Sequence, residues 1–131
     1  MVIDAIGAGL GVADQLEAKG YEIDRFKGGF RAGDQAEFLN YRAKSYWQFR
    51  QRLEEGRLAI PPDDSLFERL LLVRWKPSET ERIQFEPKEL LRGRLGQSPD
   101  RADAATMAFF DPPRNELMAS TFLISHHHPW P

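Results

Sequence analysis

The residues best placed to do chemistry in this chain are three carboxylates, Asp4, Asp100 and Asp103. Asp4 ends the apolar run Val2-Ile3 and leads into Gly7, Gly9 and Gly11. Asp100 and Asp103 stand in Ser98-Pro99-Asp100-Arg101-Ala102-Asp103-Ala104, three positions apart and so on one side of a helix. Carboxylates that converge from separate elements hold hard divalent cations such as Mg²⁺ or Mn²⁺, which activate water for phosphodiester hydrolysis. Each acid also has a plainer reading. Asp4 could accept hydrogen bonds from the backbone of the turn that follows. Asp100, in the first turn of its helix, is favoured by the helix dipole. Asp103 is harder to explain that way. It sits among Ala102, Ala104, Ala105 and Ala108, small residues that would let the helix approach a sheet and carry the carboxylate towards Asp4.

Positioning these acids requires a strand, a crossover helix and a late helix. Met1 to Ile6 reads as a short buried strand, and Gly7, Gly9 and Gly11 as a flexible turn. Val12 to Lys19 reads as a helix stopped by Gly20. Tyr21 to Phe26 alternates as a second strand, so the opening is a strand–helix–strand unit with parallel strands. A glycine-rich loop from Lys27 to Gln35 leads to the longest helix, Phe38 to Glu55, which Gly56 ends. Its Ala43, Tyr46, Trp47, Phe49, Arg50 and Leu53 form a broad semi-apolar side. Leu58 to Pro62 reads as extended. Asp64 or Ser65 then caps a helix through Leu66, Leu70 and Leu71. Leu72 to Trp75 and Arg82 to Phe85 pair as a hairpin. Pro87 to Leu95 is a short helix, and Ser98 caps a last one running to about Phe110. The expected division is a domain over 1–112 and an irregular tail over 113–131.

Composition narrows the classes. With 131 residues, 41% hydrophobic and 29% charged, the chain fits one soluble globular domain. No apolar run approaches the roughly 20 residues of a membrane helix. The absence of cysteine excludes disulfides, thiol catalysis and thiolate metal sites, and suits a cytosolic address. A net charge of −2 argues against a general polyanion binder. Two local basic groups remain: Arg42, Lys44, Arg50, Arg52 and Arg57, and Lys88, Arg92, Arg94 and Arg101. They could meet DNA phosphates, although a solvated helix face is the preferred reading from charge alone. The spacing Gly7-x-Gly9-x-Gly11 falls one residue short of a dinucleotide fingerprint and is not read as one. His126, His127 and His128 are read as a solvated tail rather than a metal site.

Four segments, in this order, resemble the C-terminal nuclease domain of the large subunit of tailed-phage terminases. They are Asp4 to Val12, Asn40-Tyr41-Arg42-Ala43 to Trp47, Gly56 to Pro61, and Ser98 to Ala104. The resemblance covers roughly Val2 to Phe110. It implies a partial α/β, ribonuclease H-like nuclease fold, with a mixed sheet flanked by helices and a β-hairpin insertion. It further implies a metal-dependent endonuclease that cuts concatemeric double-stranded DNA during packaging, with Mg²⁺ or Mn²⁺ in a two-metal arrangement. Asp4 then matches the second acid of the family, and Asp100 and Asp103 both offer themselves as the third. Arg42, Lys44 and Lys88 become candidates for contacts with the DNA backbone. Partners implied by the family are the small terminase subunit and the portal protein, and the address is the host bacterial cytoplasm, with no membrane.

The chain departs from that pattern at its start. The family's first acid lies on a strand upstream of the Asp4 strand, and only three residues precede Asp4 here. The expectation is therefore a portion of a nuclease domain lacking early strands and the ATPase, as from a degraded prophage gene, a split gene or an incomplete reading frame. Loss of one carboxylate should weaken metal binding, and a bared sheet edge should favour self-association. The rival expectation is a prophage-derived remnant or interaction module without independent nuclease activity. A third is a small α/β protein whose acids are purely structural.

Overall fold

Alternating an apolar strand with a glycine-rich helix start brings the chain back parallel to itself. In the computed structural model, which describes residues 1–30 and 37–111, strand β1 (Val2–Asp4) is followed by helix α1 (Ala8–Ala18) and strand β2 (Asp24–Phe26). The strands pair in parallel, with Val2 opposite Asp24, Ile3 opposite Arg25 and Asp4 opposite Phe26. The Ala5 amide extends the ladder by donating to the Phe26 carbonyl at 2.8 Å. The helix starts earlier than its sequence suggests, because Gly9 and Gly11 lie inside it rather than in a turn. The reason is steric: a Cβ on Gly9 would fall 1.8 Å from the Asp4 carbonyl oxygen. Gly9 is there for close approach of helix to strand end, and Gly7, with φ 61°, makes the turn. Arg25 on β2 ties the unit together by donating to Asp14 at 2.5 Å and to Glu17 at 2.6 Å on α1.

Helix α2 (Tyr41–Glu54) is the pillar of the domain. Asn40 caps it, its side chain accepting from the Ala43 amide at 2.9 Å. Its buried face comprises Tyr41, Ala43, Lys44, Ser45, Tyr46 and Phe49. Tyr41 joins Phe26, Phe38 and Phe110 in the aromatic core, with Val2, Trp47, Ile83 and Met107 packed around it. The Phe110 ring meets Phe26 edge-on at 5.1 Å, so the end of the last helix is pinned to β2.

The remaining elements wrap this pillar. Helix α3 (Asp64–Leu72) is capped by Asp63, one residue before the expected cap, through a bond to the Leu66 amide at 3.1 Å. Strands β3 (Trp75–Pro77) and β4 (Ile83–Phe85) pair antiparallel as a hairpin, with Trp75 opposite Phe85; the first strand begins later than expected, because α3 runs on through Leu72. Helix α4 (Lys88–Leu95) ends at Gly96, whose φ of 67° suits glycine. Helix α5 (Asp100–Ala108) follows. Its N-cap is Pro99 rather than Ser98, because the Ser98 hydroxyl bonds the Asp100 carboxylate at 2.5 Å instead of a backbone amide. The fold is α/β as expected, but among the described residues the strands form two separate two-stranded ribbons rather than one mixed sheet. The hairpin leans against the segment entering α2 through an isolated bridge between Phe38 and Ile83, and so does not reach β1. The expected tail over 113–131 lies outside the described residues.

Candidate functional site

Helix α5 carries Asp103 into the molecule because its packing face is small. Ala102 and Thr106 are almost fully buried, which lets α5 lie close against α2. Asp103 then opens into a cavity of about 450 Å³. Asp4, from the end of β1, lines the same cavity, as do Arg42 and Tyr46 of α2 and Lys88 and Glu89 of α4. Asp4 and Asp103, far apart in sequence, thus line one cavity.

Asp103 is held from three directions. Tyr46 donates its hydroxyl to Oδ1 at 2.6 Å. Arg42 Nε stands 3.6 Å from the same oxygen, an ion-pair distance. Lys88 Nζ lies 2.9 Å from Oδ2 and 3.1 Å from Asp100 Oδ1, bridging the two acids. Burial pushes the Tyr46 phenol well above its ordinary range, and the adjacent Asp103 charge adds to the shift. Burial works against the charge on Lys88, but the hydrogen bonds and charges of Asp103 and Asp100 outweigh it and raise its pKa. The Ser98 hydroxyl, and after it Lys88, hold the Asp100 carboxyl below its usual range.

The expected site residues separate. Asp4 and Asp103 line one cavity. Asp100, 73% exposed, stands outside that lining and is linked to it only through Lys88. Among the described residues no three His, Cys, Asp or Glu side chains gather closely enough to hold a metal ion. The donors that do meet are hard carboxylate oxygens, which suit Mg²⁺ or Mn²⁺ in kind. A cationic nitrogen already rests on Asp103 Oδ2, so the spot accepts positive charge. His126, His127 and His128 lie outside the described residues.

The three basic residues named for DNA contact do not form a free face. Arg42 turns inward: Nη1 donates to the Glu86 carbonyl at 2.8 Å, and its guanidinium lies 5.0 Å from the Tyr46 ring centre. Lys44 is buried, at 8% exposure, which leaves little of it for a phosphate. Lys88 is engaged by the two acids. Sequence reasoning read Tyr46 only as part of an apolar helix side and overlooked Glu89. The four-residue spacing of Arg42 and Tyr46, which puts both on one side of α2, was the available signal.

No protein-family model matches the chain, and no curated protein does. Solved structures do match. The nuclease domain of the large terminase subunit gp2 of bacterial virus Sf6 aligns with a TM-score of 0.68 at 23% identity over 86% of this chain. The fold is that of a terminase nuclease domain. A lysine-to-alanine mutant of the Sf6 domain with manganese and beta-thujaplicinol gives the same TM-score of 0.68 at 22% identity. A further mutant form with calcium matches at 0.68 and 23%. This chain spans 65% of the length of the Sf6 nuclease domain, so the terminase nuclease fold is represented here in part. No helix among the described residues is long and apolar enough to cross a membrane.

Proposed function

We propose that this chain is a metal-dependent endonuclease domain of the terminase type, acting on double-stranded DNA in phage DNA packaging. The observation that carries the reading is the meeting of Asp4 and Asp103, from the first strand and the last helix, at one cavity in a terminase nuclease fold. The manganese and calcium in the Sf6 structures support a divalent ion as cofactor. Asp4 and Asp103 would hold it, with Asp100 at the rim. A bound divalent ion would supply a hydroxide nucleophile from water and screen charge on the phosphate. Lys88 neutralises Asp103 and Asp100 between turnovers and would yield Oδ2 to the metal. Freed, its ammonium would be available to a backbone phosphate. Arg42 acts from beneath, lowering the cost of a carboxylate in a partly buried place. The small terminase subunit and portal protein belong to this proposal as partners of the whole protein, and a bacterial host's cytoplasm as its address.

Among the described residues no three acids gather closely enough to hold a metal ion, which favours a second reading, a remnant or interaction module that keeps the fold without the activity. Calorimetry with Mn²⁺ and plasmid nicking on one sample separates the two. The enzyme reading expects binding and nicking, with both lost in Asp103→Ala and nicking reduced at least about a hundredfold in Asp4→Ala. A folded chain that neither binds nor nicks leaves the second reading in possession.

A further inference from the structure

Asp103 has two carboxylate oxygens, and the structure treats them differently. Oδ1 accepts the Tyr46 hydroxyl at 2.6 Å, whereas Oδ2 faces the Lys88 ammonium at 2.9 Å. The phenol has little freedom to do anything else. Tyr46 is 6% exposed, and its ring is stacked at a tilt on Phe85 with centres 5.2 Å apart. The Arg42 guanidinium lies against the same ring and is itself anchored to the Glu86 carbonyl. Tyr46 comes from α2, against which both α5 and strand β4 of the hairpin pack, and Phe85 comes from β4.

We propose that Tyr46 is a positioning residue that fixes Asp103 and makes it a one-oxygen ligand, with Oδ2 alone offered to a cation. A neutral donor suits this task. It occupies one oxygen without adding a further positive charge to that of Arg42, whose Nε stands 3.6 Å from the same oxygen, so Asp103 keeps more of its attraction for the cation on Oδ2 than a second cationic donor would leave it. A rigid donor also spares the site the entropy of ordering Asp103 when a metal enters. Partners that orient a metal-binding side chain in this way govern affinity nearly as strongly as the ligands themselves. The inference rests on the metal-binding reading of the cavity, but the orientation of Asp103 can be measured without a metal.

The test compares the full chain with Tyr46→Phe, which keeps the ring and removes the donor. Calorimetry with Mn²⁺ should give an affinity about 10- to 100-fold weaker in the variant, with an unchanged circular dichroism spectrum. Equal affinities would overturn the proposal. In parallel, three-bond couplings to the Asp103 carboxyl carbon report its χ1 in metal-free protein. One rotamer in the wild type and averaging in Tyr46→Phe supports positioning, and identical couplings in the two proteins overturn it. If the wild type binds no Mn²⁺, the metal reading falls and these couplings alone decide on Tyr46. If Tyr46→Phe does not fold, the wild type decides: a single Asp103 rotamer with a Tyr46 hydroxyl proton protected from exchange supports the proposal. Averaged rotamers, or an unprotected hydroxyl proton, reject it.

Discussion

Tyr46 and Lys88 both bond to Asp103, and their titration should report on the site. Tyr46 is held above its ordinary value of 10.0, by burial first and by Asp103 second. Lys88 is held above its ordinary 10.5, because the two acids outweigh its burial. In both cases the folded state binds the proton more tightly than the unfolded chain does. The resulting stabilisation is complete below about pH 10 and is lost as pH climbs from there through the raised folded-state values. Thermal melts should therefore fall steadily above pH 10, and Tyr46→Phe should flatten part of that fall. A melting temperature that is level from pH 9 to 11 in the wild type would contradict the coupling. At this scale the sequence was legible in part. Asp103 could be picked out because an acid among alanines lacks an easy structural excuse, and Asp4 by its place at the end of an apolar strand, where a turn-bonding role fits it equally well. Tyr46 could not, since a tyrosine at helical spacing looks like core until its hydroxyl is seen to have a partner.

At the scale of elements, the β1–α1–β2 unit shows where local pattern informs and where it misleads. Strand, helix and parallel strand were all readable, because the apolar run, the glycine stop after Lys19 and the alternation in Tyr21 to Phe26 each leave a local mark. The start of α1 was not readable, since three alternate glycines signal a turn by propensity and only tertiary contact makes Gly9 helical. The contact makes a sharp prediction. In Gly9→Ala the new Cβ would meet the Asp4 carbonyl oxygen, a backbone atom that cannot step aside without moving β1. Helix propensity alone would make this change stabilising by about 1 kcal/mol. Overpacking costs about 1–3 kcal/mol or more and wins here. The urea midpoint should fall, and because Asp4 moves with its strand, Mn²⁺ affinity should fall with it. A variant as stable as the wild type would mean that β1 and α1 are not so tightly docked. The hairpin and the late helices were also legible, through their polar turn, Gly96 and Pro99. Their assembly into two ribbons was not, because which strands pair depends on contacts remote in sequence.

On the scale of the whole molecule, the arrangement of the ribbons matters more than their number. β1 and β2 pair only with each other among the described residues, so each presents one unpaired backbone edge. Beside them Met1, Ile6 and Tyr21 are each more than half exposed. An unpaired edge next to apolar side chains is a template for another strand, and the physical cost of leaving it in water favours association. Net charge offers little opposition, since at −2 the long-range repulsion between copies is weak. The expectation is a sedimentation coefficient that rises with concentration in the micromolar to millimolar range. Ile6→Lys should suppress the rise, because it sets a like charge on each copy beside the edge while lying 57% exposed and outside the core. Its fold should survive, unlike that of Gly9→Ala, which acts on the same strand end from within; Ile6 also lines the Asp4–Asp103 cavity, so the added ammonium should lower Mn²⁺ affinity. A wild type that stays monomeric throughout would show that the edge is already guarded. Charged Asp24 and Arg25 on β2 would then be the residues to credit, since inward or flanking charge is the ordinary means by which a strand edge repels a second copy.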